Sequence, residues 1–546
     1  MRSTMTLPSL DTAPVLPRIE SVHGRRQLIV DERPFLILGG ELHNSSGSET
    51  TALLDGLDRA VLMNANTALV PVTWELVEPV EGTFDFSLVE EALNGARERG
   101  LRLILLWFGT WKNGRSSYVP SWVKSDLKRF PRAVLRGGRS TEHISPFSDE
   151  AANRDAEAFA RLMDFLASAD GTRRTVVMVQ VENEVGLLGD SRDRSNLAEQ
   201  AFEESVPERF FELLASESPL AVRSAWEANG SLASGTWSTV FGGDIRGDEA
   251  FMAHAYASFV ERVAAAGSAR YPLPLFTNAW LDSEIDVPGF TVTGGQRPGT
   301  YPSGGPIAAV APVWRTFAPT LDLVAPDIYV GDFDLICGRF SEASDGALLI
   351  PEMRRDQLGA GQMSVALGAH AALGVSPFGI DSGEASELDA VADLYALIAA
   401  VADRLTVADR RSVQGFHLGD TDESQVLSVG NRRFRAGKVR SWGAKDVAPH
   451  TYGIIIQTGP LEFLAIGRGF VLEPLDEDGR QVGILSVDEL TRGERGLVPG
   501  RRLNGDETLS GSAWVHPSQG HAAAGGLPIP SVGENSGITM CKLYEF

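Results

Sequence analysis

Two glutamates that are distant along the chain, Glu184 and Glu352, each stand at the end of a short apolar run where a strand is expected, VVMVQVENE and ALLIPEM. A pair of carboxyl groups on either side of a sugar can break a glycosidic bond. One is protonated and assists the departing oxygen, while the other is ionised and attacks the anomeric carbon. The retaining form of this reaction needs the two groups about 5–5.5 Å apart. We therefore predict that the fold brings Glu184, as acid/base, and Glu352, as nucleophile, to one cavity.

Other polar and aromatic residues also follow the apolar runs, and together they suit a ligand with many hydroxyl groups and a weakly apolar face. Asn183 is a candidate for binding the sugar's 2-hydroxyl group. Tyr329 and Arg354 are expected beside Glu352, where they would keep it ionised. The remaining binding candidates are Glu41, Trp74, Trp111, Asn113 and Trp280.

Several of these residues have an equally simple structural interpretation. Glu41 is as well suited to bracing the fold as to binding sugar, and each tryptophan is at least as readily a packing residue as a sugar platform. Glu182 shares a strand face with Glu184, because side chains alternate along a strand. A buried partner of an arginine is the better interpretation of Glu182.

Bringing these residues together requires a fold whose strands end at one face. From residue 26 to residue 405, short apolar runs alternate with amphipathic stretches, which is typical of a parallel sheet covered by helices. Eight runs are expected to be strands, and they begin at Phe35, Thr67, Leu101, Val176, Pro274, Leu323, Ala347 and Ser376. Eight βα units predict an α/β fold, a (β/α)8 TIM barrel, in which catalytic groups lie at the C-terminal ends of the strands.

The sequence also predicts how the chain is divided. Residues 1–25 are expected to be an N-terminal extension, 26–405 the barrel, and 186–250 an insertion between the fourth and fifth strands. Within the barrel, a helix is expected to begin with a capping box of Ser87 and Glu90 and to stop at Gly100. Residues 406–546 contain short alternating strands separated by turn residues, which predicts a C-terminal β-rich, sandwich-like domain.

Composition argues against several classes of partner. The 546 residues include 49 basic and 72 acidic side chains, a net charge of −23, which disfavours nucleic acid and acidic membranes. Cys337 and Cys541 form no metal-binding spacing, and no His-x-His pair follows a strand, so neither a metal nor another cofactor is expected. The sequence shows no signal-peptide core and no run of membrane-spanning length, which favours a cytoplasmic location. A homo-oligomer is compatible with the sequence.

Four segments of the chain resemble glycoside hydrolase family 35, the β-galactosidases: GGELHN, ANTALVPVTWELVEPVEGTFDF, VQVENEVG and ALLIPEMR. The resemblance covers roughly residues 26–405. It implies a retaining (β/α)8 barrel with Glu184 as acid/base, Glu352 as nucleophile, Asn183 as the partner of the 2-hydroxyl group and Tyr329 as a donor to the nucleophile. The third strand, LLWFGTWKNG, lacks the Pro-Tyr and the further acidic residue of common members. The eighth ends in Asp381 rather than in an aromatic residue. These departures indicate a divergent bacterial branch.

The resemblance implies a retaining exo-β-galactosidase, which releases terminal non-reducing β-D-galactosyl residues from a galactoside or oligosaccharide through a covalent glycosyl-enzyme intermediate. One alternative is the same chemistry on another β-glycoside, such as a glucoside, a mannoside or a galactan end. Another is a carbohydrate-binding barrel without turnover. The presence of both Glu184 and Glu352 disfavours this last alternative, because a binding protein does not need the pair.

Overall fold

The structure is a computed structural model that describes residues 15–22, 24–216, 218, 220–282, 295, 297–439, 450–476, 481–493, 496–517 and 534–546. Most of the predicted N-terminal extension lies outside these residues. No helix in this described part of the chain is long and apolar enough to cross a membrane.

Eight parallel strands form a barrel in the first three quarters of the chain. The strands before residue 378 are β1 (Arg18–Val22), β2 (Arg25–Val30), β3 (Arg33–Phe35), β4 (Ile37–Glu41), β5 (Thr67–Thr73), β6 (Arg102–Phe108), β7 (Arg132–Leu135), β8 (Arg139–Ile144), β9 (Val176–Val181), β10 (Leu275–Ala279), β11 (Leu323–Pro326), β12 (Leu349–Met353) and β13 (Gly374–Pro377). The barrel sheet has the order β11-β10-β9-β6-β5-β4-β13-β12. These are the eight predicted strands.

The barrel closes between the first and last strands of that order. Ile328 pairs with Met353 in a parallel bridge, and its N–H donates to the carbonyl oxygen of Glu352 at 2.9 Å. The strands are almost entirely buried, which explains why they appear in the sequence as continuous apolar runs rather than as alternating ones. The predicted (β/α)8 barrel is confirmed.

Helices cover the outside of the barrel. Those of the described residues are α1 (Thr50–Leu62), α2 (Trp74–Val77), α3 (Ser87–Arg99), α4 (Ser121–Ser125), α5 (Asp149–Asp170), α6 (Asn196–Phe202), α7 (Glu208–Ala215), α8 (Arg223–Ala228), α9 (Trp237–Phe241), α10 (Ile245–Ser268), α11 (Ala311–Phe317), α12 (Phe333–Ala343), α13 (Gln357–Gly368) and α14 (Asp389–Val407). The short helices α6 to α9 occupy the predicted insertion. Helix α3 stops at Gly100, whose φ of 69° is the left-handed conformation expected there.

The predicted capping box at the start of α3 does not form. Phe86 occupies the N-cap position, and the Ser87 side chain makes no cap hydrogen bond. Instead, Asp85 Oδ1 accepts from the Ser87 N–H at 2.9 Å. The prediction was wrong because an aspartate just upstream satisfies a free backbone donor of the first turn.

Two antiparallel sheets follow the barrel. Their strands are β14 (Val413–Leu418), β15 (Ser424–Val429), β16 (Arg432–Lys438), β17 (Thr451–Gly459), β18 (Glu462–Arg468), β19 (Phe470–Pro474), β20 (Val482–Gly493), β21 (Gly496–Leu503), β22 (Trp514–His516) and β23 (Ile538–Glu545). One sheet has the order β14-β17-β18-β23-β20-β21 and the other the order β15-β16-β19-β22. Phe416 and Phe463 from the first sheet share an apolar cluster with Phe434 and Trp514 from the second. This confirms the sandwich-like C-terminal region.

The larger C-terminal sheet packs directly on the barrel. Ile454 and Ile466 of this sheet belong to the same apolar cluster as Leu394 of α14 and residues inside the helix layer. Strand β14 lies so close to α13 that a Cβ atom on Gly415 would overlap the carbonyl oxygen of Ser364. This helix, α13, follows β12, the strand that carries Glu352.

Candidate active site

Glu184 and Glu352 meet at the C-terminal end of the barrel. Glu352 lies near the end of β12, and Glu184 lies three residues beyond β9. Both are buried: 7% of the surface of Glu184 and 5% of that of Glu352 are exposed. The residue before Glu184 links them, because Asn183 Nδ2 donates to Glu352 Oε1 at 3.3 Å. The structure therefore brings the two predicted carboxyl groups to one place, with Asn183 between their strands.

The backbone around Glu184 has an unusual conformation. Glu182 and Glu184 have φ angles of 62° and 43°, in the left-handed region that non-glycine residues rarely adopt. Neighbouring segments hold this turn: the Glu184 N–H donates to Asn278 Oδ1 at 2.9 Å, and the Gly114 N–H donates to the Glu184 carbonyl oxygen at 3.0 Å. Backbone strain of this kind is concentrated at functional sites, where it fixes the direction of a side chain.

Hydrogen-bond donors surround the carboxyl group of Glu352. The Tyr329 hydroxyl donates to Oε2 at 2.8 Å, and Asn278 Nδ2 donates to Oε1 at 3.4 Å. The ammonium group of Lys112 lies 3.8 Å from Oε1. Together with Asn183, these groups give Glu352 the surroundings that a negatively charged nucleophile needs.

Glu184 has a different environment. Burial and then the charge of Glu352 raise the pKa of Glu184 to about 7, while Lys112, Asp327 and Asn113 act in the opposite direction. Asn113 donates a hydrogen bond from Nδ2 to Glu184 Oε2. A carboxyl group with this pKa can give up and take back a proton near neutral pH, which is the requirement for an acid/base residue.

Sequence reasoning did not select three residues that contribute to this site. Asn278 Nδ2 donates to Asp327 Oδ2 at 2.7 Å, so one amide contacts Asp327, Glu352 and the backbone of Glu184. Burial and then the charges of Glu352 and Glu184 raise the pKa of Asp327 well above its usual value. A polar residue at the end of a buried strand was the available signal for Asn278 and Asp327. Lys112 gave no such signal, because it lies in the loop after β6.

The structure places Trp74 and Trp111 in the core. Trp74 is fully buried, and its indole N–H donates to Glu78 Oε2 at 2.8 Å. Trp111 is 1% exposed and packs against Phe259, while its indole N–H donates to the carbonyl oxygen of Ile144 at 3.1 Å. Neither ring can offer a face to a sugar, so the predicted platform role is wrong for both. Trp280 is half-buried and packs against the barrel core.

Arg354 does not make the contact with Glu352 that the sequence predicted. Its guanidinium group pairs with Asp356, with Nε 3.1 Å from Oδ1. Asp356 caps α13 by accepting from the Gly359 N–H at 3.0 Å. The strand ends at Met353, so the side chain of Arg354 follows the turn into α13 rather than the inward face of the barrel.

Glu182 is a structural residue, as expected, but its partners are not arginine. Its carboxyl group accepts from the backbone N–H groups of Thr110 at 3.1 Å and Trp111 at 2.7 Å. Burial and the neighbouring Asp155 raise its pKa well above the usual value. Glu182 thus fixes the loop that carries Lys112 and Asn113.

No group of three or more His, Cys, Asp or Glu side chains within the described ranges is arranged to hold a metal ion. Cys337 and Cys541 are both buried, free thiols.

Two family models match parts of the chain. The model described as glycosyl hydrolases family 35 matches residues 27–244, which include Glu184 but end before the strand of Glu352. A domain of unknown function, DUF5597, matches residues 391–514, from within α14 into the C-terminal sheets.

Individual proteins are also similar to parts of the chain. A β-galactosidase from Xanthomonas manihotis is 28% identical over 171 residues, which are 30% of this chain and 26% of that protein. The β-galactosidase structure from the psychrophilic Marinomonas ef1 has a TM-score of 0.46 and 13% identity, over 68% of this chain and 60% of that one. The β-galactosidase from Bacillus circulans sp. alkalophilus has a TM-score of 0.46 and 14% identity, over 68% and 57%. The chain thus spans less than two thirds of the length of each. The family whose model matches residues 27–244 is the one that the sequence motifs resemble.

Proposed function

We propose that this chain is a retaining exo-β-galactosidase, which hydrolyses terminal non-reducing β-D-galactosyl residues through a covalent glycosyl-enzyme intermediate. The observation that carries the proposal is the pair of buried glutamates in contrasting surroundings: Glu352 among hydrogen-bond donors, and Glu184 with a pKa raised to about 7. The family 35 match and the β-galactosidase of Xanthomonas manihotis support the choice of reaction and sugar.

In the proposed first step, a carboxylate oxygen of Glu352 bonds to the anomeric carbon while protonated Glu184 transfers its proton to the departing glycosidic oxygen. Bond formation removes the negative charge of Glu352. Because that charge raises the pKa of Glu184, its loss lowers this pKa and favours the carboxylate form. Glu184 can then take a proton from water, which attacks the anomeric carbon and releases Glu352.

The residues between the two glutamates would position the reacting groups. Tyr329 and Asn278 hold the two oxygens of Glu352 in place. Asn183 lies beside the nucleophile and is available to the sugar's 2-hydroxyl group, a contact that strengthens in the transition state of this reaction.

The test is the hydrolysis of nitrophenyl β-glycosides by the wild type, Glu184→Gln and Glu352→Gln. We expect galactoside to be the best substrate and each substitution to lower kcat/KM by about a hundredfold or more. The exposed Glu75→Gln serves as the matched control and should leave the rate unchanged. Azide should restore turnover to Glu352→Gly, and proton NMR of the first product should show the β-anomer.

Near wild-type rates in both glutamine variants would refute the assignment of the glutamates. An α-anomer as first product would refute retention. A glucoside, mannoside or galactan end as best substrate would correct the sugar and leave the chemistry in place.

A further inference from the structure

Glu41, the last residue of β4, is a completely buried carboxyl group. Neither of its side-chain oxygens has a hydrogen-bond partner among the residues that the structure describes. Leaving a buried polar group without a partner costs free energy, so native proteins rarely do it without a reason. Two buried carboxyl oxygens without partners in the described chain, at the C-terminal end of a barrel strand, indicate that a ligand completes them.

Among the described residues, Lys112 is a buried side chain with unused hydrogen-bond donors, where Glu41 has unused acceptors. It is only 3% exposed, and its ammonium group carries three N–H donors. The 3.8 Å distance to Glu352 Oε1 is too long for a hydrogen bond, and Nζ makes none to the described residues. Its other close neighbour is the ring of Phe108, whose centroid lies 4.9 Å from Nζ.

The backbone of Lys112 is held firmly. Its N–H donates to the carbonyl oxygen of Arg115 at 2.8 Å, and the Arg115 N–H donates back at 3.0 Å. A backbone that is already fixed does not have to be ordered when a ligand binds. The arrangement is therefore suited to a ligand contact.

Glu41 and Lys112 belong to one electrostatic group. Burial alone would lower the pKa of Lys112, but the charges of Glu352, Glu184 and Glu41 raise it. Burial and the charge of Glu352 raise the pKa of Glu41, and Lys112 acts against this rise. The geometry agrees with this grouping, because Lys112 Nζ lies 3.8 Å from Glu352 Oε1 and Glu41 ends a barrel strand at the same face as the two glutamates.

We propose that Lys112 and Glu41 bind two different hydroxyl groups of the sugar that occupies the space between Glu184 and Glu352, with Lys112 as donor and Glu41 as acceptor. This inference rests on the proposed function for the position of the sugar. The described site has four buried carboxyl groups (Glu41, Glu184, Asp327 and Glu352) and the one ammonium group of Lys112. An excess of carboxyl groups favours a neutral sugar over a uronic acid or a sugar phosphate.

The experiment compares a sugar with its own deoxy analogues. Nitrophenyl β-galactoside and its 3-, 4- and 6-deoxy analogues are hydrolysed by the wild type, Lys112→Met and Glu41→Leu, which removes both side-chain oxygens of Glu41. A site built to hydrogen-bond a hydroxyl group rejects the analogue that lacks it, because the buried partner then stays unpaired. We expect the wild type to reject two of the analogues by about a hundredfold or more in kcat/KM. Each variant should reduce one of these ratios to less than about tenfold, and the two variants should affect different analogues.

The controls separate recognition from bracing. Lys124 and Glu75 form an exposed ion pair with a separation of 3.1 Å, so Lys124→Met and Glu75→Gln should leave all ratios unchanged. A bracing role for Lys112 or Glu41 would lower the rates on every substrate by the same factor and reduce the melting temperature. Unchanged ratios, or equal losses on all substrates, would overturn the proposal.

Calorimetric titration of the wild type with galactose and its deoxy analogues gives a readout without catalysis. Discrimination in binding with no hydrolysis of any glycoside would refute the proposed function and retain this inference. Hydrolysis without discrimination among the deoxy analogues would support the proposed function and refute this inference. Absence of both binding and hydrolysis would refute both.

Discussion

Glu184 should set the upper pH limit of the reaction. The proton that it donates must be present when the substrate binds, and its pKa of about 7 means that this proton is lost as the pH rises through neutrality. We expect kcat/KM on an unactivated galactoside to fall above about pH 7. A dinitrophenyl galactoside needs little proton assistance, so its rate should lack this decline. A decline near pH 5 on both substrates would contradict the raised pKa.

The individual residues of the site differed in how well the sequence predicted them. Glu184, Glu352, Asn183 and Tyr329 were selected because they follow apolar runs and carry the required chemistry, and the structure brings them together. Their catalytic and binding roles stay predictions. Trp111 and Lys112 are adjacent and both buried, yet the Trp111 ring packs against Phe259 whereas the Lys112 ammonium group lies beside Glu352. Which of two adjacent loop residues faces the core depends on the path of the loop, and no periodicity records that path.

The turn after β9 is the element that positions Glu184, the proposed acid/base residue. Gly186 in this turn has a φ of 132°, and a Cβ atom there would lie 2.6 Å from Pro302. We expect Gly186→Ala to separate this turn from the segment of Pro302, to destabilise the protein by about 1–3 kcal/mol and to lower kcat. The measurement is urea unfolding together with steady-state kinetics.

Gly82→Ala is the control for that experiment. Gly82 also has a positive φ, 75°, but nothing lies within 4 Å of its added Cβ atom. Gly82→Ala should lower the free energy of unfolding through backbone strain and leave kcat unchanged. Equal effects of the two substitutions on kcat would show that the turn does not position Glu184.

The elements themselves were largely predictable. All eight barrel strands coincide with apolar runs, because a strand buried on both faces needs apolar side chains at every position. Details at helix ends were less accessible: Gly100 stops α3 as expected, whereas Asp85 takes the place of the capping box. Several polar residues near a helix start can accept the same free N–H, and the sequence alone does not rank them.

At the scale of the whole molecule, the barrel and the larger C-terminal sheet should unfold as one unit. The backbones of α13 and β14 meet at glycines, and a methyl group on Gly415 would overlap the carbonyl oxygen of Ser364. We expect Gly415→Ala to lower the free energy of unfolding by about 2 kcal/mol or more and to reduce activity, since α13 follows the strand of Glu352. Urea unfolding followed by both fluorescence and activity would measure the two effects.

Gly419→Ala is the matched substitution in the loop after the same strand. Its added Cβ atom would lie 3.4 Å or more from other atoms, so stability should change by less than about 0.5 kcal/mol. Full activity in Gly415→Ala despite a large loss of stability would show that the sheet does not support the nucleophile.

The packing of the C-terminal sheet on α13 and α14 left no signal in the sequence. Alternating apolar residues predicted that strands would form after residue 405, but the apolar cluster that contains Ile454, Ile466 and Leu394 joins segments that are remote along the chain. Only tertiary structure shows that one apolar cluster spans both regions. The boundary between residues 405 and 406 stays a prediction, and the DUF5597 match begins upstream of it, within α14.

The closure of the barrel at Ile328 and Glu352 has a thermodynamic consequence. The residue whose carbonyl oxygen completes the ring of strands is also the one whose side chain would bond to the sugar. A ligand held between the two glutamates therefore links the ends of β9 and β12, which lie on opposite sides of this closure. Occupancy of the site and resistance to heat are then coupled, so saturation with product or inhibitor should raise the melting temperature.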